Sequence, residues 1–357
     1  MTKTFPRIII LFTFCLFLVS WGSLGHRTIN RKCTDSFPAS MNDFKVWSST
    51  LESHASDADN RKSSDTNESP KHYLDVENYP EFNSTGRIYS TYDSIVNKYG
   101  TETVISNGTL PWATEITYNL LVTDFQNLNW PKAVLDASDL GHYVADGHMP
   151  LHISANYDGQ KTGNKGIHSR YESEMVGDYI SQLSTYSGIP ANYVNNVNKY
   201  IFNYIYTNHR YVDSVLIADN YAKSIDASYG STYYSSLWSK TKFTTSLFQN
   251  ASHALAELIY SAWIDAGSPV FGSLTHPSSI NENSEKKLTV FPNPTTGIIN
   301  FTDENFTKAE LCTLTGKLVG RFYQNKVNIG DMPAGVYIMN LYDKNGQSEK
   351  IKIILTK

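Results

Sequence analysis

Histidine and carboxylate side chains crowd one stretch of this chain. His142 and Asp146 are four residues apart, His148 and His152 follow, and His168 and Glu172 repeat the four-residue spacing. On an α-helix, residues four apart share a face, so each His-x-x-x-carboxylate pair can close on one cation. Imidazole and carboxylate are donors that zinc takes. Burying so many together without a cation would leave repelling carboxylates and unsatisfied nitrogens. One histidine beside one aspartate would carry little weight, because such pairs are common on helices. The grouping points to a polynuclear zinc site. His148 is out of phase with both pairs and is expected at the surface or behind the ligands.

The elements that must hold these groups are mainly helical. Pro150 is expected to end the first helix and so free His152 to turn toward the same cavity. Helical periodicity runs from Trp21 to about Gly267. Leu110-Pro111-Trp112 opens a segment expected to carry Ile116, Leu120 and Leu121 on one face. Phe243, Leu247, Ala251, Leu255, Leu258 and Ile259 mark a late helix, in which His253 is expected to be structural. Residues 268–287, rich in Ser, Asn, Pro and Gly, read as a linker. From 288 to 357 the period changes. Short alternating segments such as Ala309 to Leu314, Gly335 to Met339 and Glu349 to Ile354 suggest a small β-sandwich. The 24 tyrosines cluster notably in Tyr200 to Tyr211 and Tyr229 to Tyr234, where half-buried packing with polar tips is expected.

Residues 1–20 read as a signal peptide. Lys3 and Arg7 precede an apolar run, Ile8 to Val19, that is too short to span a bilayer. Cleavage after Ser20 would make Trp21 the new N-terminus, in Trp21-Gly22-Ser23-Leu24-Gly25-His26. The formal net charge is -4, and it grows more negative once Lys3 and Arg7 leave with the leader. No basic stripe advertises polyanion binding. Cys15 lies in the leader, and neither Cys33 nor Cys312 has a partner nearby in sequence for nucleophilic chemistry.

These motifs resemble the zinc-dependent phospholipase C and single-strand-specific nuclease superfamily. The resemblance rests on a mature N-terminal tryptophan with a histidine five residues later, His142-x-x-x-Asp146-x5-His152 and His168-x-x-x-Glu172. It implies one all-helical fold with three zinc ions. His72, in Pro70-Lys71-His72-Tyr73-Leu74-Asp75, matches the family's His-aromatic-x-Asp segment, and Asp57 matches the aspartate that precedes it, with Asp59 as its rival. The resemblance thus implies Asp57, His72, His142 and Asp146 around one zinc. Trp21, through its α-amino and carbonyl groups, and His26 would hold a second, with Asp146 bridging. His152, His168 and Glu172 would hold the third. The implied activity is phosphodiester hydrolysis by a hydroxide shared between paired zinc ions, with Asp57 orienting the water or taking its proton and Asp146 between the metals. Arg61 is a candidate phosphate contact, with a solvated surface role as the alternative.

Both substrate classes of the superfamily stay open. Glutamate at position 172 and the short connection from His152 to His168 lean toward phospholipid head-group cleavage. Thr162-Gly163-Asn164 resembles the nucleases' Gly-Gly-Asn, and Tyr73 with Asp75 could stack on a base and hydrogen-bond its edge. The eukaryotic nucleases' disulfides have no counterpart here. The tail, with Phe291-Pro292-Asn293-Pro294, the Met332-to-Tyr337 turn and a Lys-rich end, resembles the C-terminal sorting domain of the type IX (Por) secretion system. That implies contact with this secretion machinery and a secreted or cell-surface location. A non-enzymatic surface adhesin is the remaining alternative, and no stable partner beyond a monomer is expected.

Overall fold

The computed structural model describes residues 22–272, 290–301, 306–313, 317–343 and 348–356. The leader, Trp21 and most of the expected linker lie outside the described residues. The chain divides into two compact units, Met1–His276 and Pro277–Lys357.

The first unit is helical. Its long elements are Gly22–Cys33, Leu110–Gln126, Trp130–Asp146, Val197–His209, Val212–Ile225, Ser231–Lys240 and Thr244–Asp265. None of the described helices is long and apolar enough to cross a membrane. The Trp130–Asp146 helix begins with a proline in its first turn, where a missing N–H costs nothing. Its N-terminal end is pinned by aromatics: Trp130, Phe44, Trp47 and Phe125 pack with rings 5.1 to 5.9 Å apart. Phe271 joins them 4.7 Å from Phe44, so the helical body extends into the segment read as linker. From Leu140 onward every residue of the Trp130–Asp146 helix is buried, which places its last turn inside the unit.

The Leu110–Gln126 helix forms as expected, but with a different buried face. Ile116 is 61% and Leu120 46% exposed, while Leu121 is fully buried. Tyr118 and Phe125 instead share the inner face with Leu121, while Trp112 near the start of the helix is buried in a separate cluster with Phe202. Large aromatic area outweighs the two aliphatic side chains in deciding the helix rotation. In the Thr244–Asp265 helix the expected apolar face is the buried one, and His253 packs with Tyr186 Oη at 3.1 Å and Glu257 at 3.2 Å.

The second unit is a two-sheet β structure. One sheet pairs β1 (Val290–Phe291), β2 (Ile298–Phe301) and β5 (Lys326–Asn328), and the other pairs β3 (Phe306–Thr313), β4 (Leu318–Phe322), β6 (Gly335–Asp343) and β7 (Ser348–Leu355). Every one of these strand pairs is antiparallel. Alternate residues Tyr337, Met339 and Leu341 of β6 meet Ile299, Phe301 and Val327 of the other sheet in one core, while Lys350 and Lys352 of β7 stay out of it. The expected sandwich is therefore present.

Gly141 lets the Gly22–Cys33 and Thr244–Asp265 helices come close to the Trp130–Asp146 helix. A Cβ there would stand 2.2 Å from Asn30 Oδ1 and 2.7 Å from a Leu255 methyl. Asn30 cannot yield easily, because its Nδ2 donates to Ser138 O at 3.0 Å and Leu51 O at 3.2 Å. On an open helix, Gly→Ala would stabilise by about 1 kcal/mol. Here Gly141→Ala is expected to destabilise by about 1–3 kcal/mol through overpacking. Urea unfolding of the variant checks the sign, and an unchanged or raised midpoint would contradict the close approach.

Candidate metal centre

Separate pieces of chain deliver the ligand-type side chains to one buried cluster. His26 comes from the Gly22–Cys33 helix and Asp59 from the short Asp57–Arg61 helix. His72 ends the 3-10 turn Ser69–His72. His142 and Asp146 sit on the end of the Trp130–Asp146 helix, and His152 lies in the 3-10 turn Pro150–Ile153 that starts at the expected proline. His168 lies in the turn Ile167–Ser169, and Glu172 follows in a wide π-helical turn, Arg170–Met175, of a kind frequent at functional sites.

Asp146 is the centre. Its fully buried carboxylate lies 3.6 Å from His26 Nε2, 3.0 Å from His72 Nδ1, 3.4 Å from His142 Nε2 and 3.1 Å from His152 Nδ1. Asp59 approaches from the other side, 3.5 Å from His142 Nε2 and 3.6 Å from His72 Nδ1. Glu172 lies 2.6 Å from His168 Nε2 and 3.5 Å from His152 Nε2. Donor atoms of His26, His142 and Asp146 fall within 4.8 Å of one another, as do those of Asp59, His72 and His142, and those of His152, His168 and Glu172.

Three features suit these groups to metal. First, both ring nitrogens of His26 are buried without a hydrogen-bond partner, a costly arrangement unless something else takes the lone pair. Second, Nδ1 of His142, His152 and His168 lies 2.7, 2.8 and 3.1 Å from the carbonyls of Ala55, His72 and Tyr157. An Nδ1–H donating to those oxygens puts the lone pair on Nε2, the usual support for a metal-binding imidazole. Third, the charges are matched to a cation. His26 stacks flat on His142 at 3.8 Å, and burial, then His142, lower its pKa to about 3, which keeps it neutral. Burial opposes a charge on His152, yet Asp146 and Glu172 outweigh it and push the pKa up to about 10. Asp146 and Asp59 likewise raise His142 against its burial. A divalent ion would serve the same carboxylates and release those protons on binding.

The two rival aspartates stand in different surroundings. Asp57 stands apart, its half-exposed carboxylate accepting from His54 Nδ1 at 2.6 Å. One residue earlier than its neighbour Ala58, which is buried, it points off the face that Asp59 presents to the cluster. Asp59 is fixed by Lys62 Nζ at 2.6 Å. Its carboxyl is held low despite burial by His142, His26 and Lys62. Arg61 forks onto Asp139 at 2.9 and 3.1 Å and reaches Glu68 at 3.5 Å. His148 is buried rather than on the surface, its Nδ1 2.7 Å from Val144 O and its ring stacked on Tyr204. Tyr73 donates to Ser106 O at 3.2 Å, and Asp75 beside it is half-buried, with its pKa raised to about 6 by burial and then by Glu77. Asn164 of the Thr-Gly-Asn segment is buried and donates to Asp219 at 2.6 Å, so it anchors the loop before His168. Trp21 lies outside the described residues.

Glu68 escaped the sequence reading. It is buried, accepts from Tyr143 Oη and from Lys71 Nζ at 2.7 Å, and faces His72 Nε2 at 3.5 Å. Its spacing to His72 is the same four residues that singled out the other pairs, with the order of acid and histidine reversed.

No curated protein matches the chain in sequence. Among solved structures, the chain is similar to the alpha toxin from Clostridium absonum, at 10% identity over 93% of this chain and 82% of that one, with a TM-score of 0.46. It is likewise similar to the Clostridium perfringens alpha-toxin isolated from an avian strain, at 10% identity over 95% and 99%, with a TM-score of 0.48. Residues 289–356 match the secretion system C-terminal sorting domain, so the β unit carries an export signal of that kind and the protein is secreted or displayed at the cell surface.

Proposed function

We propose that the helical unit is a zinc-dependent phosphoric diester hydrolase, of the phospholipase C type, that cleaves phospholipid head groups. The observation that carries this reading is Asp146, one buried carboxylate shared by four imidazoles, with Asp59 on one side and the His168–Glu172 pair on the other. His72, His142, Asp59 and Asp146 would hold one zinc. His26 with Asp146 and the processed amino group of Trp21 would hold a second, and His152, His168 and Glu172 a third. When bound, zinc supplies Lewis acidity and brings the pKa of water close to neutrality.

The protein's own groups do the rest. His26 stays neutral at any physiological pH and so offers a lone pair rather than a proton. Asp59, ionised and fixed by Lys62, can orient the attacking water and take its proton, the role first considered for Asp57. The water oxygen bonds to phosphorus as the bond to the leaving alkoxide breaks, and the proton that Asp59 took passes on to the alkoxide, which leaves as the alcohol. The expected sorting of the substrate follows from Glu172 and from the short loop between His152 and His168. Single-stranded nucleic acid is the second reading, favoured by Tyr73 and the half-buried Asp75 beside the His72 ligand.

Two experiments test this. Turnover of a choline phosphodiester chromogen and phosphatidylcholine should exceed that of single-stranded DNA or RNA; the reverse ranking would promote the nuclease reading, and no turnover of either would remove both. His142→Ala and Asp146→Asn should each lower turnover by about 10³-fold, the several kcal/mol a metal-based charge stabilisation supplies. Asp59→Asn should approach that loss while Asp57→Asn stays within a few-fold of wild type. A reversed order for the two aspartates would overturn the assignment of Asp59.

A further inference from the structure

Four histidines of the Asp146 cluster, His72, His142, His152 and His168, have orienting contacts of two kinds. His142, His152 and His168 each set a ring nitrogen against a backbone carbonyl. His72 differs. It turns Nδ1 to the cluster, 3.0 Å from both Asp146 Oδ2 and His142 Nε2, and aims Nε2 at a side-chain carboxylate, that of Glu68. Nε2 is buried with no hydrogen-bond partner, and Glu68 Oε1 at 3.5 Å is the acceptor it faces.

Glu68 is itself held from several directions. Tyr143 Oη donates to Oε1, Lys71 Nζ lies 2.7 Å from Oε2, and Arg61 comes within 3.5 Å of Oε1 while forking onto Asp139. Only 1% of the residue is exposed. A buried carboxylate so fully supplied with donors stays ionised and stays in place. Tyr143 follows His142 on the same helix, and Arg61 follows Asp59 by two residues, so the Glu68 network is built on the elements that carry two other members of the cluster.

We infer that Glu68 is a positioning residue: it fixes His72 with its proton on Nε2 so that Nδ1 presents a lone pair to the metal centre. Resting on the zinc reading above, this assigns Arg61, Lys71 and Tyr143 a shared task behind the ligands. Loss of such a supporting carboxylate typically costs 10- to 100-fold in metal affinity.

The test is zinc affinity of the processed full-length protein, by competition with a chromogenic chelator, for wild type, Glu68→Ala and Glu68→Gln. Metal-free circular dichroism and thermal melts report separately on folding. Glu68→Ala should weaken one zinc by 10- to 100-fold and leave the remaining zinc unchanged. Glu68→Gln, which keeps an acceptor oxygen but not the charge, should recover part of that loss. Affinities of both variants within twofold of wild type would overturn the assignment while leaving the zinc reading intact. Equal weakening of every ion together with a lower metal-free melting temperature in both variants would make Glu68 a fold residue and overturn it as well. A wild-type protein that binds no zinc would overturn both readings together.

Discussion

A negative charge at full burial organises this protein. Asp146 has no exposure to water, and an isolated carboxylate in such a place would be driven to take up a proton. It is instead held ionised, well below the usual carboxylate range: burial opposes this, and His152, His142 and His72 outweigh it. Around it stand Asp59 and Glu172, also held low. Such a concentration of anions is stable only with compensating cations, and the geometry of nitrogens and oxygens is one that zinc can satisfy.

The rest of the helical unit serves that constraint. The aromatic cluster of Phe44, Trp47, Phe125, Trp130 and Phe271 anchors one end of the Trp130–Asp146 helix, so that its other end can be driven inward with polar ligands on it. Gly141 lets the His26 helix approach until the two imidazoles stack. On the opposite side, Arg170 lies between His168 and Glu172 in sequence and is pinned by Asp219 at 3.0 Å and Tyr233 at 2.9 Å, with Asn164 tying the preceding loop to the same aspartate. The polar network thus fixes the segment that carries the third ligand group.

Much of this was legible in the sequence, for identifiable reasons. The four-residue spacings of His142 with Asp146 and of His168 with Glu172 survive folding because helical geometry is local. Pro150 marks its turn for the same reason. The tail's strands follow from alternation, which needs only a period of two. What sequence could not supply depended on distant partners. Asp57 and Asp59 flank one residue of a single short helix, and only the place of His142 and His72 tells which of them faces inward. Ile116 and Leu120 have helical spacing too, but Tyr118 and Phe125 of the same helix take the inner face, and Phe125 does so against Phe44, Trp47 and Trp130 from other segments. Glu68 acquires meaning from Tyr143, far along the chain.

Zinc in the Asp146 cluster is the proposal on which the other assignments rest. Elemental analysis combined with zinc-edge X-ray absorption, on protein processed to begin at Trp21, tests it most directly. The expected result is bound zinc, about three ions per chain when all ligand groups fill, with nitrogen and oxygen neighbours at about 2.0–2.2 Å and no sulfur in the shell. Protein that retains no zinc, or zinc with sulfur neighbours near 2.3 Å, would contradict it.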